Sequence, residues 1–87
     1  MAYRIEFATS ARRAFLELGL SDRQRIARRI DSLGRNPRPP GFAKLSGFQD
    51  LYRIRVGTYR IIYTIEDDRL IITILRVAHR RESCRGL

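Results

Sequence analysis

LYRIRVGTYRIIYTIEDDRLIITILRVAHRR, residues 51–81, is the stretch whose reading decides the fold. It divides into three apolar, β-branched runs separated by Gly57-Thr58 and Asp67-Asp68, the signature of two successive hairpins. Glycine at the first central position suits a type II′ turn, which sets Val56 across from Tyr59. Side chains in a strand alternate between faces, so the rest of the register follows by counting. Arg55 falls opposite Arg60, Ile54 opposite Ile61, Arg53 opposite Ile62 and Tyr52 opposite Tyr63. One face then carries Tyr52, Ile54, Val56, Tyr59, Ile61 and Tyr63, and the other carries Arg53, Arg55 and Arg60. Closing the second hairpin at Asp67-Asp68 sets Glu66 across from Arg69, Tyr63 across from Ile72 and Arg60 across from Leu75. On that count Leu75 and Val77 join the arginine face, and His79, Arg80 and Arg81 emerge near Arg55 and Arg60. Directly opposed like charges weaken a sheet, so the Arg55/Arg60 pair points to an anionic ligand. The structural alternative is a solvated face whose guanidinium groups splay into water.

Working outward, residues 2–8 alternate as a strand, with Tyr3, Ile5 and Phe7 on one side and Arg4 and Glu6 on the other. Thr9 or Ser10 is placed to cap a helix with Ala11, Ala14, Phe15 and Leu18 on one stripe, ended by Gly19. Ser21 to Gln24 reads as a capping box for a second helix with Ile26, Ile30 and Leu33 buried, stopped by Gly34 and Pro37. Residues 36–47, NPRPPGFAKLSG, read as a loop. The expected architecture is α+β in a single domain over residues 1–87. It has an N-terminal strand, an α-helical hairpin and a three-stranded antiparallel meander, the helices packed on one sheet face.

Eighty-seven residues make one small domain that buries only about 60–65% of its unfolded surface. Eighteen basic residues against nine acidic ones give a net charge of +9, which points to a polyanion or an acidic partner. Seventeen of the eighteen are arginine, whose guanidinium grips phosphate bidentately. One cysteine and one histidine argue against a disulfide or a zinc or iron site, and no cofactor is implied. No apolar run has the length of a membrane span and the N-terminus carries no signal-peptide core, so the cytoplasm is expected and a membrane is not. Tyr52, Tyr59 and Tyr63 sit away from the arginines, which counts against a base-stacking RNA-binding module.

Guanidinium groups with one histidine suit metal-independent RNA cleavage, in which the ribose 2′-hydroxyl attacks the adjacent phosphorus and cations neutralise the developing charge. KLSG at 44–47, DLYRIRVGTYRIIYTIEDD at 50–68 and LRVAHRRE at 75–82 resemble the RelE/ParE superfamily of bacterial type II toxins, on its RelE-like side. The resemblance spans nearly the whole chain. It implies a toxin that cleaves messenger RNA in the ribosomal A site, is neutralised by a cognate antitoxin, and meets operator DNA only through the antitoxin complex. Carried over position by position, it assigns catalytic roles to Arg53, Arg55, Arg60 and Arg80. His79 is expected to share the acid–base work with a ribosomal group, because an imidazole titrates near neutrality. Lys44, Arg76 and Arg81 are expected to contact RNA. The chain departs from the family pattern where lysine is replaced by Arg53 and Arg55, and where Cys84 stands near the place of a C-terminal tyrosine. Those departures keep open a ParE-like toxin that inhibits DNA gyrase, or a degenerate toxin acting only in operon control.

Overall fold

The computed structural model describes residues 2–45 and 51–79. In chain order the elements are β1 (Arg4–Phe7), α1 (Thr9–Leu16), α2 (Leu20–Leu33), β2 (Ala43–Lys44), β3 (Leu51–Val56), β4 (Tyr59–Glu66) and β5 (Ile71–His79). They form one five-stranded sheet in the order β1-β5-β4-β3-β2. The class is the expected α+β. Two edge pairings complete it: the expected N-terminal strand β1 lies parallel to β5 at one edge, and Ala43–Lys44, read as loop, pairs with β3 at the other.

The first hairpin has the register counted from the sequence, from Val56 across Tyr59 back to Tyr52 across Tyr63. Gly57 turns the corner at φ 60, where a side chain would be strained and a Cβ would come within 2.9 Å of the Arg25 guanidinium. The second hairpin differs. Its turn takes four residues, 67–70, so Glu66 pairs with Ile71 and Tyr63 with Ile74. A slip of two residues keeps every side chain on its expected face.

Beyond Ile74 the ladder slips by one more, because Tyr63 pairs with Ile74 whereas Ile62 pairs with Arg76. Leu75 is the extra residue of a β-bulge, and it reverses the facing of everything after it. Without it Arg76 would follow Ile72 and Ile74 into the apolar layer beneath the helices, at the cost of burying a charge. Val77 takes that place instead, 6% exposed.

Both helices lie on this apolar face, α1 against β5 and α2 against β3. Ala11, Ile26, Ile30 and Leu33 join Ile54, Val56, Ile61, Tyr63, Ile65, Ile72, Ile74 and Val77 in one core, flanked by Tyr3, Ile5, Phe7 and Phe15. The caps differ from the expected ones. Ala8 and Gly19 are the N-cap residues, and neither offers a side-chain bond. Ala8 is held to the sheet through its N–H on the Ile74 carbonyl, so α1 starts as soon as β1 ends. In α2 the first-turn acid Asp22 favours the helix N-terminus. It also accepts from Arg25 at 3.1 Å and from the Tyr59 hydroxyl at 3.2 Å.

Two polar clasps tie the loop after α2 to the sheet. The buried Tyr63 hydroxyl donates to the Pro37 carbonyl at 2.8 Å, and burial pushes its pKa up to about 12. Asp67 accepts from the Tyr3 hydroxyl at 2.5 Å and from both terminal nitrogens of Arg38 at 3.3 and 2.9 Å. The Arg38 bonds, then the Tyr3 bond, hold the Asp67 carboxyl below its ordinary pKa.

Tyr63→Phe strands the Pro37 carbonyl, and urea denaturation should show a loss of about 1–2 kcal/mol with the fold retained. Because the folded-state pKa of Asp67 is depressed, its contribution is present above the ordinary aspartate range and disappears as pH falls through the folded value. Asp67→Asn should therefore flatten the acid limb of a stability-versus-pH curve, and an unaltered limb would contradict the clasp.

Candidate nucleic-acid interface

The face turned away from the helices is built from alternate residues of β3, β4 and β5. Two cross-strand rows near the Gly57 turn carry the charge. One runs Arg55, Arg60, Ala78, and the next runs Arg53, Ile62, Arg76. Arg55 is exposed, whereas Arg53, Arg60 and Arg76 are partly covered. Ile62 and Ala78 between them are buried, at 3% and 4% exposure. The Nε atoms of Arg53 and Arg60 are also buried, and that of Arg53 meets no hydrogen-bond acceptor among the described residues.

Burial, followed by the like charges of Arg55 and Arg60, lowers the pKa of Arg53. A guanidinium starts from so high a value that Arg53 keeps its charge. Among the described residues, the carboxylates of this face lie at its other end, where Glu6 pairs with Arg4 at 3.1 Å and Glu66 with Arg69 at 3.4 Å. The charge is thus segregated along the strands, with one sign at the Gly57 end. Such an arrangement is attractive to a multiply charged anion.

The structure brings Arg53, Arg55 and Arg60 onto one face as the strand count implies, and Arg76, named above among the expected RNA contacts, lies on the same face from the third strand. His79 requires a correction. The Leu75 bulge turns it to the helix side, where it pairs with Tyr59 and its ring meets the tyrosine edge-on at 5.6 Å. Lys44 is exposed on β2 across from Tyr52, also on the helix-side phase rather than with the arginines. Arg80, Arg81 and Cys84 lie outside the described residues. Arg12, Arg13, Arg25 and Arg28 stand exposed on the helices, away from this face.

A signal for the bulge is present in the sequence. Apolar residues at 72 and 74 are followed by Arg76 and then Val77, so the alternation breaks its phase at Leu75.

Residues 5–84 match the family described as the ParE toxin of the type II toxin-antitoxin system, parDE. A RelE-like toxin of Escherichia coli is 32% identical over 85 residues, covering 95% of this chain and 88% of that one. The RelE of the archaeal RelE–RelB complex from Pyrococcus horikoshii OT3 superposes with a TM-score of 0.81 at 31% identity, over 94% of this chain and 99% of that one. This chain belongs to the RelE/ParE superfamily of type II toxins, on its RelE-like side. The mRNA interferase toxin RelE of Escherichia coli K12 is 27% identical, covering 95% of this chain and 88% of its own.

In this RelE-like toxin the Arg55/Arg60 opposition costs stability that an anion would recover. Arg55→Gln should raise the urea midpoint at low ionic strength, and the gain should shrink toward zero in 1 M salt as screening removes the repulsion. A midpoint that falls at low salt would contradict the opposition.

Proposed function

We propose that this toxin is a ribosome-dependent mRNA endonuclease that inhibits translation. Its far sheet face would bind the scissile phosphate in the A site without a metal ion. The reading rests on one observation, the Arg55/Arg60 pair flanked by Arg53 on a face whose described carboxylates are held at the opposite end. It is supported by similarity to a protein named an mRNA interferase.

In the proposed reaction the ribose 2′-oxygen attacks the adjacent phosphorus and the bond to the 5′-oxygen breaks. A 2′,3′-cyclic phosphate and a 5′-hydroxyl are left. Arg60 binds the non-bridging oxygens as their charge grows. Arg53 and Arg55 hold the entering backbone, and Arg80, outside the described residues, is given a phosphate-binding role by the family resemblance alone. Preorganised cations of this kind are worth about 3 kcal/mol each. The 2′-proton leaves to a base and the departing 5′-oxygen gains one. Because His79 stands against Tyr59 on the other side of the sheet, both transfers are assigned to groups of the ribosomal complex.

The partner that silences this activity is proposed to be an antitoxin, as structural relatives include RelE–RelB complexes. An apolar hollow of about 480 Å³ between β1 and α1, lined by Ile5, Phe7, Phe15 and the exposed Leu16, offers such a partner a place to dock. No helix among the described residues is long and apolar enough to cross a membrane. The match to the ParE description favours one second reading, inhibition of DNA gyrase. Mapping transcript 5′ ends after induction separates the two, since cut messages support the nuclease and broken DNA supports the gyrase toxin.

Single-turnover cleavage of ribosome-bound message should slow by about 100- to 1,000-fold in Arg60→Ala. His79→Ala should stay within about threefold of the parent, the margin left by a residue that takes no part in proton transfer. An unchanged rate in Arg60→Ala would remove the proposal, and a large loss in His79→Ala would return the imidazole to the chemistry.

A further inference from the structure

We propose that the far face holds two successive phosphates of the RNA backbone, and that Arg76 binds the second one together with Arg53. This deepens the nuclease reading and rests on the same face being its RNA site. The geometry has three parts. The bulge at Leu75 reverses the end of β5, which moves Arg76 out of the phase of Ile72 and Ile74 and into line with Ile62 and Arg53. Adjacent strands lie about 4.8 Å apart, so Arg53 and Arg76 flank Ile62 across about 10 Å, a width that admits a phosphate between two long guanidinium arms. The Arg53–Ile62–Arg76 row is displaced from the Arg55–Arg60–Ala78 row by two residues along the strands. Two residues make about 6.7 Å, comparable to the step between neighbouring phosphates in an extended nucleotide chain.

Electrostatics agrees with two subsites. Arg53 has its pKa lowered by burial and then by Arg55 and Arg60, so it couples the rows and favours anionic charge beside each. No strand residue of this face near the Gly57 turn is acidic among those described. Ile62 between them is buried, 3% exposed, and brings no polar group to the second row. The bulge therefore does more than rescue the core from a buried charge, because it delivers the displaced guanidinium to the ligand side.

The test uses the purified full chain and two uncleavable 2′-O-methyl trinucleotides. One carries both phosphates and the other has one of them replaced by a neutral methylphosphonate. Affinity is followed by NMR titration as salt is varied. In the parent protein the doubly charged ligand should show the steeper salt dependence, by about 0.7 in the logarithmic slope for one further phosphate on a single strand. Arg76→Gln should erase that difference while leaving binding of the singly charged ligand within about twofold, and Arg76→Lys should restore most of it. A merely structural role for Arg76 would weaken both ligands equally. Equal slopes in the parent, or a difference that survives in Arg76→Gln, would overturn the inference. Because neither ligand can be cleaved, a parent protein that cuts no ribosome-bound message yet shows the slope difference would sink the nuclease reading and leave two-phosphate binding standing.

Discussion

A single inserted residue on β5, Leu75, decides which side chains of the last strand meet the helices and which meet solute. Upstream of it, Ile72 and Ile74 pair within the apolar layer on Ile65 and Tyr63. Downstream, Val77 takes the next core position beside Ile61, and Arg76 and Ala78 pass to the opposite face. A straight strand would have buried a guanidinium under α1 and exposed a valine, and neither is tolerable in a core this small. Packing and charge placement thus have one solution in common, and the arginine field follows from it.

That field sets like charges side by side. Arg55 and Arg60 face each other across a strand pair, and Arg53 is close enough to share their repulsion. The other side of the sheet offsets the strain through a continuous apolar layer from Ala11 and Ile26 to Ile74. The buried Tyr63 bond to Pro37 and the Asp67 clasp on Tyr3 and Arg38 tie the long loop down. Stability is therefore concentrated on the helix side, and the face that gathers like charge is the one suited to bind. Separation of this kind is common where a site needs electrostatics that folding alone would reject.

The first hairpin was fully legible in the sequence because glycine at the turn and strict alternation leave one register. Both helices were legible from their apolar stripes. Their caps were not, since the start of α1 is dictated by Ala8 binding to the sheet, a long-range contact that no local preference encodes. The second turn was misjudged because Asp67 is consumed by tertiary partners and Leu70 adopts a left-handed conformation, φ 54. A two-residue error of that sort is silent for facing, whereas the one-residue bulge is not. It carries His79 away from the arginines and Arg76 toward them, so the strand count gives the facing of the arginines on the first two strands and fails on the third. The edge pairing of Ala43–Lys44 was hidden by the prolines and glycines around it.

The account stands on the guanidinium groups of three strands acting as one site for a nucleic-acid backbone. Arginine side-chain NMR during titration with an uncleavable RNA oligonucleotide reads this directly, because each Nε–H reports its own anion contact. Arg53, Arg55, Arg60 and Arg76 should shift together and saturate at one concentration, while Arg12, Arg13 and Arg28 on the helices stay in place. Shifts confined to the helix arginines, or saturating separately within the four, would contradict it.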